Sequence, residues 1–286
     1  MKRIVYDHGL PFGTKLAENV DDIMDRVDKK KASMIILDGE LGEGKTTLAT
    51  LIARKIEGDD PTIDKMQRFD FRAQIGMGGD DFLKKADWCS DNKKRAIIYD
   101  EAGDFSKRGA LTKFNQRLIT FFDTYRAFKI IPILCLPTFW RLDNMLFEQG
   151  VARMLVHCHH RVTTGNYSAF DMDNMDYMRY NLTKLRVKAK VYNTVRANFR
   201  GHFLNLPPKL ADMLDMLSTR AKKSIMKRNI LDRESMIDVY AMATKMSKSV
   251  KWVRNKIVEH NVKHIDIIQR RKYYDKDTLR LLVKKV

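Results

Sequence analysis

The stretch MIILDGELGEGKTT, Met34 to Thr47, decides how the rest of the chain is read. Its first half is a short apolar run ending at Asp38, which predicts a buried strand. Its second half sets Gly39, Gly42 and Gly44 around Glu40, Leu41 and Glu43 and closes on Lys45, Thr46 and Thr47. From Gly39 to Thr46 it fits G-x-x-x-x-G-K-[ST] in full. Leu48, Leu51, Ile52 and Ile56 then recur at helical spacing. Strand, glycine loop and helix, in that order, form the context this pattern demands. Glycines let backbone N–H groups turn inward around phosphates. The amides that open a helix add positive potential. Lys45 is expected to reach the outer phosphates of ATP, and Thr46 to ligate Mg²⁺ through its hydroxyl.

Outward from this loop, RAIIYDE (95–101) is a second apolar run, ending in two acids. In a parallel sheet the strand ends face the ligand crevice. Asp100 is therefore expected at the Mg²⁺ and Glu101 at the attacking water. A third run, Ile130 to Leu136, ends at Pro137-Thr138, where the Thr138 hydroxyl could sense the terminal phosphate. Arg117, Arg126, Arg141 and Arg153 are candidates for an arginine that completes a neighbour's site; Arg126 is placed with the catalytic set. His157-Cys158-His159-His160 invites a metal reading. Strand alternation would split these residues between two faces, and a structural strand is favoured.

Between these landmarks, Val20, Ile23, Met24 and Val27 mark one face of a helix. Gly76 to Asp80 reads as a loop, followed by a short helix at Asp81–Ala86. Residues 111–126 are long enough for a helix. Ala152–Val162 reads as a strand, and Lys184–Phe203 alternates as strands do. Strands alternating with helices predict an α/β protein: a P-loop NTPase with a mostly parallel sheet. From about Arg233 onward the sequence reads as a separate small module.

The net charge of +18 is unevenly placed. Residues 181–286 hold 26 Lys and Arg against 9 Asp and Glu, so +17 of it lies there. That asymmetry predicts a polyanionic partner, DNA before RNA. The most apolar run is short and interrupted by Pro132 and Pro137, so no membrane insertion is expected. The first residues lack the apolar core of a signal peptide. The three cysteines, Cys89, Cys135 and Cys158, have no disulfide spacing. Together these features predict a reducing, cytoplasmic setting.

The motifs GELGEGKTT (39–47), AIIYDEAGDF (96–105) and NQRLITFFDTYRAFKIIPILCLPTFWRLD (115–143) resemble the additional-strand P-loop ATPases of the FtsK–HerA superfamily. That group includes viral packaging and Zot-like ATPases. Many members carry Gln where this chain has Thr138, and Zot-like proteins usually carry a transmembrane segment. The resemblance implies a ring, commonly hexameric, that hydrolyses ATP to move DNA, in the host cytoplasm if viral. AAA+ proteins would usually show a helical lid where β-like sequence continues here through Arg161 and Phe170.

Residues 236–286 resemble a winged helix-turn-helix of excisionase or MerR type. Met236–Met246 is the expected first helix and Ser247-Lys248-Ser249 the turn. A second helix should bury Val250, Val253, Ile257 and Val258. Lys248, Lys251, Arg254 and Asn255 would face a DNA groove, and Arg270, Arg271 and Lys272 would form a basic wing. The boundaries drawn from sequence are 1–205 for the ATPase domain, 206–232 for a basic helical linker and 233–286 for the DNA-binding module. Two other readings share these motifs: a nucleotide-switched DNA-binding or partition-type regulator, and an AAA+-like loader.

Overall fold

The computed structural model describes residues 11–59, 68–100, 116, 119–121, 126–159, 165–181, 191–262, 266–268, 271–275 and 282. The chain divides into two compact units, Met1–Ala221 and Lys222–Val286. The long helix Pro208–Ser235 runs past this division.

The first unit is built on a seven-stranded sheet of order β2-β3-β4-β1-β5-β6-β7. Helix α1 (Thr14–Asp28) leads into β1 (Met34–Asp38), and α2 (Lys45–Glu57) follows it. A one-turn helix α3 (Phe71–Gln74), β2 (Ile75–Met77) and α4 (Gly79–Asp91) precede β3 (Ala96–Asp100). Then come β4 (Ile131–Cys135), β5 (Ala152–His159), β6 (Asn166–Asp171) and β7 (Phe199–His202). Strands β2, β3, β4, β1 and β5 run parallel; β6 and β7 are added antiparallel at one side. β4 lies between β1 and β3, so the strand of the glycine loop and the strand of Asp100 are not neighbours.

The apolar runs follow from burial on both faces. Along β1, Ile35 and Leu37 enter one core layer with Leu16, Val20, Leu48 and Ile52. Met34 and Ile36 enter the other with Tyr99, Leu134 and Phe139. Every residue of β1 is buried. Pro132 is unusual in a central strand because it cannot donate to a ladder. Its neighbour Ile131 donates to Arg95 O on the β3 side, so Pro132 N faces β1, whose pairing starts only at Ile133.

Two expectations fail in this unit. Gly76 to Asp80 is not a loop: Gly76 lies in strand β2, and helix α4 begins at Gly79. Gly76 is needed for close packing, since a Cβ there would come within 2.5 Å of Phe82 Cα. Of the stretch Lys184–Phe203, residues 184–190 lie outside the described residues; in the remainder Val191–Thr194 is helical and Phe199–His202 forms a strand. The alternation misled because Tyr192 and Val195 turn inward from helix and bend.

In the second unit, β8 (Met236–Asp238) precedes two short helices, Val239–Met246 and Val250–Glu259. β9 (Asp266–Ile268) and β10 (Arg271–Asp275) complete an antiparallel sheet of order β8-β10-β9. Met236 to Asp238 is thus strand and not the start of the first helix. Asp238 instead caps that helix, accepting from Ala241 N at 2.8 Å. Ser247 ends it in the left-handed region, and Ser249 caps the next, accepting from Trp252 N at 3.1 Å. Ile237, Met242, Ala243, Val253, Ile257, Tyr274 and Leu282 form the core. Val258, expected inside, is 78 % exposed because it falls on the opposite helix face from Val253. Among the described residues no helix is long and apolar enough to cross a membrane.

Candidate nucleotide site

Strand β1 ends at Asp38, and the chain turns at once into the glycine loop. Gly39, Gly42 and Gly44 have φ of +138°, +90° and +79°, a region open chiefly to glycine. At Gly39 a side chain is also blocked in space: a Cβ would stand 2.2 Å from Cys158 O on β5. At Gly44 it would meet the Phe203 ring at 2.9 Å. The loop therefore hugs β5 on one side and Phe203 on the other. Leu41 at its tip is 94 % exposed.

Helix α2 opens at Lys45 with its first amides directed at this loop, as helix N-termini do. The first amide of the helix ladder next to the loop, Leu48 N, donates to Gly44 O at 2.9 Å. Lys45 Nζ folds back over the loop and donates to Gly39 O at 2.8 Å and Glu40 O at 2.6 Å. Thr46 Oγ1 donates to Asp100 Oδ2 at 3.1 Å, across 54 residues of sequence. These contacts bring Lys45, Thr46 and Asp100 together at the C-terminal edge of the parallel strands. Cys135, which pairs with Asp100 on β4, reports the same cluster: burial and the Asp100 charge push its thiol upward, and Lys45 opposes them.

The donor set suits a hard divalent cation. A hydroxyl and a carboxylate oxygen 3.1 Å apart nearly match the ~2.9 Å edge of an octahedral Mg²⁺ shell with ~2.05 Å bonds. Glu101, the expected water-activating residue, lies outside the described residues, as do Arg117 and Arg270. The side chains of Arg126, Arg141, Arg271 and Lys272 are likewise outside the description. Arg153 is described, and it sits on β5 at the opposite edge of the sheet, donating to Met172 Sδ at 3.2 Å. Of the other loop residues, Glu40 and Gly42 are exposed, and Glu43 and Thr47 half-buried.

Thr138 follows β4 and leads into a short helix, Phe139–Arg141. Behind it lies a group that the sequence reading passed over. Asp38 is wholly buried. Its carboxylate accepts from His157 Nδ1 at 2.9 Å, from Phe139 N at 3.0 Å and from the Tyr192 hydroxyl. Tyr192 stacks on His157, with ring centroids 3.7 Å apart and planes 5° apart. Burial, and then the Asp38 charge, hold the Tyr192 phenol well above its ordinary range; a hydrogen bond from Thr138 opposes them. His157 and His159 share a face, with rings 5.8 Å apart, while Cys158 turns into the opposite core. The only advance signal was that Asp38 ends an otherwise apolar strand. The segment after Thr138 is also held by buried Arg179, which donates to Leu142 O at 3.0 Å and stacks over Phe147.

In the second unit Lys248, Lys251, Arg254 and Asn255 are all exposed, on the turn and the second helix. Lys248 Nζ lies 5.7 Å from the centre of the Trp252 ring.

No family model matches the chain, and no curated protein matches it. Among solved structures, it is similar at 12 % identity and a TM-score of 0.33 to a replication initiator DnaA bound to AMPPCP and single-stranded DNA. That alignment covers 88 % of this chain and 72 % of the other. A second, described as a DNA replication initiation factor, gives 12 % identity and a TM-score of 0.30 over 96 % and 88 % of the two chains. Likenesses this distant carry no argument about ligand or task. The sheet itself establishes an α/β fold with a mostly parallel seven-stranded sheet and a small C-terminal part.

Proposed function

We propose that the chain is a Mg²⁺-dependent ATPase that works on DNA. The single observation that carries the reading is the meeting of Lys45, Thr46 and Asp100 beside a left-handed glycine loop at one edge of the sheet. Loop amides and the start of α2 would hold the phosphates, and Lys45 would leave its carbonyl partners for the outer phosphate oxygens. Thr46 and Asp100 would hold Mg²⁺, which supplies charge neutralisation between the outer phosphates. Glu101, next to Asp100 in sequence, would orient the attacking water and take its proton. The water oxygen bonds to the terminal phosphorus as the bond to the bridging oxygen breaks. ADP leaves with that electron pair.

The module from 233 onward would bind DNA, with Lys251, Arg254 and Asn255 on its second helix directed at a groove. A motor is favoured over a loader of AAA+ type because β6 and β7 extend the sheet just after β5, where such a loader would usually carry a helical lid. Ring assembly, Arg126 as a finger and a viral packaging role rest on the sequence resemblance alone. Hydrolysis is to be followed with single-stranded DNA, duplex DNA, RNA or nothing added. A motor should be stimulated strongly by one of the DNA forms and displace a protein bound ahead of it. Unstimulated hydrolysis with tight, salt-sensitive DNA binding would favour a nucleotide-switched regulator.

A further inference from the structure

Asp38 has no part in the phosphate chemistry described above, yet its buried carboxylate ties together four pieces of the first unit. It closes β1 directly before the loop, and it accepts bonds from β5, from the backbone after Thr138 and from the helix Val191–Thr194. A carboxylate this deep is stable only if its oxygens are satisfied, and here both are. Satisfaction alone does not explain why one donor is Tyr192. That hydroxyl and the Phe139 N–H, which follows Thr138 directly, donate to the same oxygen, Asp38 Oδ2, so the Tyr192 hydroxyl lies against the Thr138–Phe139 peptide. The same stretch returns to the site a second time, since Phe203, just beyond β7, abuts Gly44.

We propose that Tyr192 is a positioning residue for ATP hydrolysis, anchored on Asp38 and stacked on His157, holding the Thr138 hydroxyl where it can address the terminal phosphate. The proposal rests on the reading of the phosphate site above. Tyr192 acts through Thr138 and does not itself reach the nucleotide. Its hydroxyl therefore matters to the chemical step and not to nucleotide affinity. Its ring, stacked 3.7 Å from His157, matters to stability.

The test compares the full-length protein with Tyr192→Phe, Thr138→Val, the double variant and Lys45→Ala. Tyr192→Phe keeps the stacked ring and removes only the hydroxyl. Loss of one buried hydrogen bond predicts a fall in kcat of about tenfold, with KM and the Kd of a fluorescent ATP analogue unchanged. Thr138→Val should lower kcat at least as far, and the double variant no further than Thr138→Val alone. Thr138→Ser, which retains the hydroxyl, should recover the wild-type rate. If Tyr192→Phe proves too unstable to assay, Asp38→Asn weakens the anchor of the same hydroxyl and should reproduce the loss in kcat. A wild-type kcat in Tyr192→Phe, multiplied losses in the double variant, or a loss confined to affinity would each overturn the proposal. Absence of Lys45-dependent hydrolysis in the wild type would instead remove the phosphate-site reading, and this proposal with it.

Discussion

Replacing Gly39 by alanine should damage the candidate nucleotide site more than any other single methyl group in the loop. Gly39 has φ +138°, and the added Cβ would stand 2.2 Å from Cys158 O and 3.2 Å from Cys158 C. A carbon normally approaches a carbonyl oxygen no closer than about 3.3 Å, so the loop must retreat by about 1 Å. β1 cannot supply that movement, because it is fully buried and paired on both sides. The strain falls on the loop, and with it on the carbonyl that anchors Lys45 Nζ. A left-handed side chain costs about 1–2 kcal/mol and overpacking about 1–3 kcal/mol, giving about 2–5 kcal/mol in all. If at least about 2 kcal/mol of this is felt in the bound state, affinity for Mg-ATP falls by about thirtyfold or more. Gly42→Ala is the control. Its φ is +90°, but no atom lies within 4 Å of the new methyl, so only the backbone cost applies. Titration of a fluorescent ATP analogue into both variants, with thermal midpoints alongside, separates them. Equal affinities for the two variants, or a weaker Gly42→Ala, would refute the packing argument.

Three further outcomes follow from other parts of the molecule. Glu57, which is buried, accepts from Gln74 Nε2, Arg95 N and Ala96 N through one oxygen, so Glu57→Ala should cost about 3 kcal/mol in a urea titration. The buried Cys89 thiol is pushed up to about 12, chiefly by burial. A raised thiol keeps its proton when folded, so its stabilisation is complete below the unfolded value near 9 and is lost as pH climbs from there toward 12. Alkaline unfolding should therefore steepen above pH ~9, less so in Cys89→Ala, and native Cys89, Cys135 and Cys158 should resist alkylation. Lys251→Ala and Arg254→Ala should each lower the salt dependence of DNA binding by about one unit of slope, leaving ATP affinity unchanged. Binding isotherms across a salt series check this.

Much of the site was readable because its residues are adjacent in sequence or end an apolar run. The loop from Gly39 to Thr46 announces itself by spacing, and Asp100 by closing a strand whose buried register is plain. The structure adds the contact between Thr46 and Asp100, which local pattern alone cannot give. What escaped reading depends on contacts across the fold. Asp38 meets Phe139 across 101 residues, His157 across 119 and Tyr192 across 154, and no local periodicity encodes such a meeting. Strand β2 was hidden by its glycine, which looks like a loop signal and serves close packing under Phe82. Val258 was misplaced because an apolar residue next to Ile257 fits the pattern but falls beyond the buried arc.

The most direct test of the central claim is a calorimetric titration of ATP with and without Mg²⁺, into the wild type, Lys45→Ala and Asp100→Asn. The wild type should bind ATP and Lys45→Ala should not, with Mg²⁺ strengthening binding by the wild type and having little effect on Asp100→Asn. Equal binding by all three proteins, indifferent to Mg²⁺, would contradict it.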